Sequence, residues 1–584
     1  MTYLRGRTLL TVFFMVALTL VAIIYHILNN DNGNISTKDS NLRKKVVDDN
    51  LLSDLTEDSS NVARRQKIEA QMLENYRANN KNYESSSNNK YNSMMSNESL
   101  FKGHKIVHLD LKGAPPVMDY YRYLFKVFKD LGATGILIEY EDMFPYKGKL
   151  KDISAENCYS KADVMTIENL AKENGLIVIP LVQTFGHLEF ILKLDAYKNY
   201  REVMRYPQVV CPTYNGTQDL IREMIDQVIN AHPNIKYLHI GADEVYYIGE
   251  CSRCLDEMVK RQWSKKKLFL NHVESIVRYI KNKYPHITVL MWDDEFRDIT
   301  PEEIFKSGLN KLIEPVIWKY TSDLSTTLVD QLWENYAAVW PEVWIATAFK
   351  GATKPDRYYT DILYHIENHQ RWLEIIDKYS HQIKFKGAIL TGWQRYDHFS
   401  VLCELLAPAL PSLAANLAIL RASNVNNFIS ELPSEAVEAL DCQSTVSLTI
   451  PEPHYGWTKC KFRGVEIYSV ILRLFGLNQE INQMEQDNTF KGWLKPYNVK
   501  YKFSNPSHVE RAVTDLNKFK MELLYIEKEM QSAMSGIYDN YTFTEWIETY
   551  VAPLNDKINS LWDAKESILE KNSWPRRPLQ KTEL

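Results

Sequence analysis

The chain carries no large excess of charge. Its 69 Lys and Arg are nearly balanced by 74 Asp and Glu, for a formal net charge of -5. That balance offers no electrostatic footprint for nucleic acid. No glycine-rich loop follows the first candidate strand, which leaves nucleotide binding without support. Cysteines number seven. The pair Cys251 and Cys254 has no companion Cys or His pair nearby, so it reads as a local disulfide rather than a zinc site. Residues 29–100 are poor in apolar residues and rich in Asn, Ser, Lys and Asp. Such a stretch cannot bury a core and reads as a disordered stem.

One long hydrophobic run is present. Thr8 to Leu28 holds no Asp, Glu, Lys or Arg, with Arg5 and Arg7 before it and Asp31 after it. It is long enough to cross a bilayer, exceeds a usual signal-peptide core and has no A-x-A-like site behind it. By the positive-inside rule residues 1–28 form a cytosolic tail and signal-anchor helix. The expectation is a single-pass type II membrane protein of the secretory pathway, Golgi or cell surface, with its remainder lumenal or extracellular. Sequons at Asn34, Asn97, Asn215 and Asn540 agree with a glycoprotein but arise easily by chance. Cys442 with Cys460, and Cys158 with Cys211, are further candidate disulfides, and Cys403 is the candidate buried thiol.

From Lys105 onward, short apolar runs alternate with amphipathic stretches. Candidate strands are Ile106–Leu109, Gly135–Glu139, Ile177–Leu181, Tyr237–Ile240, Thr288–Trp292, Pro315–Trp318, Trp344–Ala348 and Gly387–Leu390. Met118–Leu131, Thr166–Asn174 and Leu220–Ile229 have helical spacing. The pattern predicts an α/β fold, a (β/α)8 TIM-like barrel over residues 101–425. Residues 426–584 read as a mainly helical C-terminal domain, with helical spacing from Val509 to Met530 and a second long helix from Thr544 to Lys571. It packs on the barrel or on a partner chain, which leaves room for a homodimer.

Tyr237-Leu238-His239-Ile240-Gly241-Ala242-Asp243-Glu244-Val245 organises the rest. Alternation places Leu238, Ile240 and Ala242 on one face and Tyr237, His239 and Gly241 on the other. The first set faces helices and the second the barrel interior, with Asp243 and Glu244 at the carboxyl end, where such barrels carry chemistry. A lone Asp-Glu pair is more often a helix-capping turn. Here polar and aromatic residues recur after nearly every strand: Asp110 and Lys112; Glu139 and Glu141; Gln183 and His187; Trp292, Asp293 and Asp294; Trp318; Trp393, Arg395 and Asp397. That recurrence is the pattern of an active-site rim.

The segment from His239 to Val245 resembles the catalytic signature of family 20 glycoside hydrolases, the β-N-acetylhexosaminidases. His108-Leu109-Asp110-Leu111-Lys112-Gly113, the run from Gln183 to Glu189, and Thr391 to Asp397 are similar to the hexosaminidase D-like branch of that family. The resemblance implies a retaining, exo-acting hydrolase of terminal β-linked GalNAc or GlcNAc, with a glycan as substrate and no cofactor or metal. It assigns Glu244 as general acid and base and Asp243 as the group that orients the substrate's acetamide, which attacks the anomeric carbon. The Asp243 carboxylate is expected to raise the pKa of Glu244. Trp292, Trp318 and Trp393 are implied as pocket walls, supported by Asp110, His187, Asp294 and Arg395.

Two departures stand out. The arginine that grips sugar hydroxyls after the first strand is absent, and Lys112 stands in its place. The tyrosine that holds the acetamido oxygen is not found after Trp344–Ala348, which leaves Tyr246, Tyr320 and Tyr396 as candidates. The reading from another class is a non-catalytic carbohydrate-binding protein on the same barrel. An intact acid pair argues against it.

Overall fold

The computed structural model describes residues 99–423 and 430–579. Ten strands occur among them: β1 (His104–Asp110), β2 (Gly135–Glu139), β3 (Ile177–Leu181), β4 (Arg201–Val203), β5 (Tyr206–Val210), β6 (Tyr237–His239), β7 (Thr288–Trp292), β8 (Ile313–Trp318), β9 (Glu342–Lys350) and β10 (Lys384–Gly392). Eight close into a parallel barrel in the order β1-β10-β9-β8-β7-β6-β3-β2, while β4 and β5 form a separate antiparallel hairpin. All eight expected barrel strands are present. The strand β6 stops one residue short of expectation, because Gly241 and Ala242 turn into positive φ (61° and 64°).

Period-two alternation produces two cores. Ile106, Leu137, Ile179, Leu290, Trp292, Val316, Trp344 and Ile389 point inward and pack together inside the barrel. Val107, Ile136, Leu238, Val289, Ile345 and Leu390 point outward into the layer shared with the helices. Leu238, Ile240 and Ala242 belong to that outer layer and Tyr237 to the inner one, as alternation predicts. The helix Met118–Asp130 shows how the outer layer is built. It buries Tyr120, Tyr121, Leu124, Phe125, Val127 and Phe128 on one stripe and leaves its lysines outside.

The C-terminal region is helical, with long helices at Val465–Gln486, Leu516–Met534, Asn540–Tyr550 and Ala552–Leu569. The single long helix expected from Thr544 is two helices. The break falls at Val551, and Pro553 opens the second helix, where its missing N–H leaves no bond unmade. These helices dock on the barrel beside the β1/β10 seam. Val117 N–H donates to Ile537 O at 2.9 Å, and Tyr120 Oη to Arg463 O at 2.8 Å. Asn157 Nδ2 donates to Asp539 at 2.8 Å. The Arg395 guanidinium, on the loop after β10, forms a two-pronged ion pair with Glu545.

Three expectations are corrected here. The single-pass type II membrane topology, with its secretory placement, is not upheld: among the described residues no helix is long and apolar enough to cross a membrane. The run Thr8–Leu28 and the stem expected behind it up to residue 98 lie outside the described residues. Cys251 and Cys254 are not bridged, and neither are Cys158 and Cys211. Cys251 instead turns its sulfur to accept the Cys254 N–H at 3.3 Å. Cys442 and Cys460 do form a disulfide, and Cys403 is a buried free thiol.

If the Arg395–Glu545 pair locks the C-terminal helices to the barrel rim, the two side chains are energetically coupled. Arg395→Ala and Glu545→Ala should each lower stability, and the double variant should lose less than their sum by ~0.5–3 kcal/mol. Urea unfolding of the four proteins measures this. Strict additivity would show that the pair contributes nothing jointly.

Candidate active site

The chain leaves β6 through a tight turn that delivers two adjacent carboxylates to the barrel mouth. Gly241, Ala242 and Glu244 all have positive φ, at 61°, 64° and 47°. For the two residues with a Cβ this conformation is strained, and the surroundings must impose it. Gln183 supplies one restraint: its Oε1 accepts from Ala242 N–H at 3.2 Å, while its Nε2 donates to Asp243 Oδ1 at 3.3 Å. Glu244 N–H donates to Asp294 Oδ2 at 2.9 Å, and Val245 N–H to Glu295 Oε1 at 3.0 Å. Side chains from the ends of β3 and β7 thus clamp the turn from both sides.

Gly186 serves a packing contact. A Cβ there would fall 2.1 Å from the Asp243 carbonyl oxygen, so glycine lets the loop after β3 lie directly against the acid turn. That contact brings His187, itself at φ 50°, between the two acids. Its Nε2 is 3.2 Å from Glu244 Oε2 and 3.5 Å from Asp243 Oδ2, and its Nδ1 is 3.9 Å from Glu189 Oε1.

One imidazole among three carboxylates sets the charge state of the site. Burial disfavours the imidazolium, but Asp243, Glu244 and Glu189 together hold the His187 pKa well above its ordinary value. Burial would raise Glu244, yet the hydrogen bond and charge of His187 outweigh it and hold that carboxyl below its usual range. Asp243, more deeply buried, is pushed up to about 7 by burial, with Asp294 and Glu244 adding to the rise against the pull of His187. Glu189 is likewise raised to about 7 by burial. The expectation that Asp243 raises Glu244 is therefore reversed in the free protein. Of the pair, Asp243 is the acid held toward its protonated form, because burial raises it while His187 bonds more closely to Glu244.

Aromatic side chains wall the space beside the acids. Trp292 lies 6.2 Å from Trp393 between ring centroids, and Trp393 lies 6.5 Å from Tyr320. Trp318 stacks on Tyr320 at 5.2 Å. Asp294 fixes the Trp318 ring by accepting its indole N–H at 3.1 Å. Asp293 holds the same loop: it accepts the Trp318 N–H at 3.2 Å and a two-pronged bond from Arg297 at 2.8 and 2.7 Å. Among the tyrosine candidates, Tyr320 sits within this aromatic group, whereas Tyr396 is exposed on the rim.

The remaining expected site residues divide. Asp110 is buried and ties the seam together, accepting from Lys112 N–H at 3.0 Å and Gln394 N–H at 2.7 Å. Lys112 is buried too, with its Nζ 3.1 Å from Asp110, 3.7 Å from Glu139 and 3.8 Å from Glu141, and 5.0 Å from the Trp393 ring centre. Arg395 is not brought to the acid pair, since Glu545 engages its guanidinium. Asp397 closes its own turn by accepting the N–H groups of Phe399 and Ser400. The roles of Gly186 and Glu545 escaped the sequence. A glycine's neighbour is not written beside it, and Glu545 lies 150 positions from Arg395.

A parallel eight-stranded barrel with an acid pair and a tryptophan wall at its carboxyl rim defines a barrel glycoside hydrolase. More narrowly, the chain belongs to glycosyl hydrolase family 20, whose catalytic domain matches residues 139–393. It is similar to Hexosaminidase D of Homo sapiens, with 37% identity over 460 residues covering 78% of this chain and 93% of that protein. Hexosaminidase D of Bos taurus is 46% identical over 317 residues, 54% of this chain and 91% of that protein. Among solved structures, a chitobiase of Flavobacterium johnsoniae aligns with a TM-score of 0.46 and 13% identity, over 81% of this chain and 72% of that one.

Gly186→Ala tests the loop-to-turn contact. The added methyl must push the acid turn away, so hydrolysis of an aryl N-acetylhexosaminide should fall at least ~10-fold, since small displacements of reacting groups cost that much or more. Overpacking should also lower stability by ~1–3 kcal/mol. Activity unchanged within two-fold would show that the close approach is not needed.

Proposed function

We propose that this barrel mouth is an exo-β-N-acetylhexosaminidase site, removing terminal β-linked GalNAc or GlcNAc with retention of configuration. The observation that carries the reading is the adjacency of Asp243 and Glu244 on one turn, beside a wall of aromatic rings. Two carboxylates that flank a sugar stand on opposite sides of it, about 5 Å apart in retaining enzymes. Neighbours in sequence cannot do so. They can serve a substrate whose own acetamide oxygen is the nucleophile.

In this mechanism Asp243 accepts the acetamide N–H and offsets the positive charge that grows on that nitrogen as the oxazolinium ring closes. Glu244 protonates the departing oxygen, then takes a proton from water as the ring reopens. Bound acetamide favours ionised Asp243, so the shared proton passes to Glu244, which needs it. The dominant free form and the reactive form hold the same number of protons and differ only in placement. Trp292, Trp318 and Trp393 enclose the acetamide and sugar, and Asp294 holds both Trp318 and the Glu244 backbone. Tyr320 takes the role of the missing tyrosine, donating to the acetamide oxygen from the loop after β8. Lys112 and His187 hold the carboxylates in place, His187 keeping Glu244 charged in the free protein, and Asp110 fixes the seam behind them.

Both cations expected at the sugar, Lys112 and Arg395, are engaged by protein carboxylates. A loose grip on the ring hydroxyls suits a site that accepts both C4 epimers; the resemblance to the hexosaminidase D-like branch, and no pocket residue, is what places GalNAc first. Paired aryl GalNAc and GlcNAc substrates decide this by kcat/KM. A clear preference for GlcNAc overturns it.

Glu244→Gln should slow substrates with poor leaving groups ~100-fold or more, and should spare bond cleavage with very acidic aryl leaving groups, which need little protonation. Azide should then trap the intermediate as the β-glycosyl azide. Asp243→Asn should slow every leaving group alike, because its charge acts on the acetamide nitrogen. An inverted product, or the same leaving-group dependence in both variants, rules the mechanism out.

The pH profile gives an independent check. The reactive form requires one proton on the acid pair, and that proton is lost as pH rises through about 7. The alkaline limb of kcat/KM should therefore fall near neutrality. His187⁺ lowers the pKa of both acids, so His187→Gln should shift that limb to higher pH. A limb that stays fixed or moves down would show that His187 does not set the pair's charge.

A further inference from the structure

Beside the acid turn, outside the site described above, four ligating side chains converge. Glu202 on β4 and Cys211 just after β5 come from the hairpin inserted between β3 and β6. Cys251 and Cys254 come from the start of the helix Ser252–Arg261, which follows the acid turn. Cys211 Sγ lies 3.4 Å from Cys251 Sγ and 3.6 Å from Cys254 Sγ. Glu202 Oε2 lies 3.3 Å from Cys251 Sγ and 3.1 Å from Cys254 Sγ. All four donor atoms fall within 4.8 Å of one another, and Glu202, Cys211 and Cys254 are buried.

These separations are far too long for a disulfide, whose sulfurs sit about 2.0 Å apart. They approach the edges of a metal tetrahedron, falling a few tenths of an ångström short of them. With metal–sulfur bonds of about 2.3 Å and a metal–oxygen bond of about 2.0–2.2 Å, edges of roughly 3.5–3.8 Å follow. Without a cation, a buried carboxylate would face two thiols that are only weak donors, an arrangement that burial penalises.

The surroundings are those of a preformed site. Glu202 Oε1 accepts the N–H groups of Glu250 at 2.7 Å and Cys251 at 3.0 Å, which aims Oε2 at the sulfurs. Cys254 N–H points at Cys251 Sγ, 3.3 Å away, and Thr213 Oγ1 is 3.3 Å from Cys211 Sγ and 3.2 Å from Cys254 Sγ. Arg253, whose guanidinium lies over the Tyr214 ring at 4.8 Å, adds positive charge nearby.

We propose that Glu202, Cys211, Cys251 and Cys254 bind one structural Zn2+. Binding replaces three thiol protons with the metal, so Zn2+ plus three thiols and one carboxylate gives a closed four-coordinate site and three released protons. The ion has no open position and takes no part in hydrolysis. It staples the loop that runs on from Glu244 to the β4–β5 hairpin, a junction also marked by the Tyr206–Tyr247 ring contact at 5.2 Å. The sequence pointed away from zinc because the second half of the ligand set, Glu202 and Cys211, stands 40 and more positions upstream.

The test is metal content and spectrum, read apart from activity. Full-length protein purified under reducing conditions should carry about one zinc per chain by elemental analysis, as a four-ligand site requires. Cys211→Ala and Cys254→Ala should drop to less than a tenth of that, and Cys158→Ala should keep it. Glu202→Gln, the variant least disruptive to folding, should weaken zinc at least ~10-fold in competition with a chromophoric chelator. Cobalt(II) reconstitution of the unaltered protein should give the visible bands of a tetrahedral thiolate site. The proposal is overturned if zinc-reconstituted protein holds no metal. It also fails if Cys211→Ala and Cys254→Ala retain full zinc, or if peptide mapping of the native protein finds these cysteines bridged.

Discussion

Everything at the barrel mouth depends on one imidazole held among three carboxylates. His187 stands in a backbone conformation that residues with a Cβ avoid, and it does so because the loop carrying it lies flat against the acid turn at Gly186. With that cation in place, two neighbouring acids can differ in protonation without separate pockets. Deep burial raises the Asp243 carboxyl and the closer hydrogen bond holds Glu244 low. The environment of the acid pair sets the two carboxyls apart before any ligand arrives.

The aromatic wall follows from the same economy of supports. Asp293 and Asp294, adjacent at the end of β7, reach two different structures. One anchors the Trp318 loop through Arg297 and Tyr336, and the other links the Trp318 indole to the backbone of Glu244. Wall and acid therefore share a support, and moving one moves the other. On the opposite side the cations expected to touch sugar are taken up by the scaffold. Lys112 neutralises Asp110, Glu139 and Glu141 under the Trp393 ring, and Arg395 reaches outward to Glu545.

The barrel was legible because its signals are local. Each strand has a period-two apolar run, each begins and ends near turn residues, and the chemistry recurs at the carboxyl end of nearly every strand. The acid turn, His187 and the three tryptophans were legible for the same reason, since motif and strand end coincide. What escaped depends on pairs that only folding brings together. Glu202 and Cys211 meet Cys251 and Cys254 across an inserted hairpin. Glu545 meets Arg395 across the whole helical region. The split at Val551 was missed because apolar spacing continues through it while Pro553 restarts the helix. The protonation order of Asp243 and Glu244 turns on differences in depth and distance that no residue pattern records.

The β1/β10 seam has a consequence for how the chain is made. Val107 on β1 pairs with Leu390 on β10, so the barrel cannot close during synthesis until about two thirds of the chain has been made, and until then β1 has no β10 edge to pair with. Even then the rim is not fastened, because Glu545 and Ile537 emerge later still. Segments translated after β10 bind the loops after β1 and β10, and the barrel rim is fastened only once they have joined it.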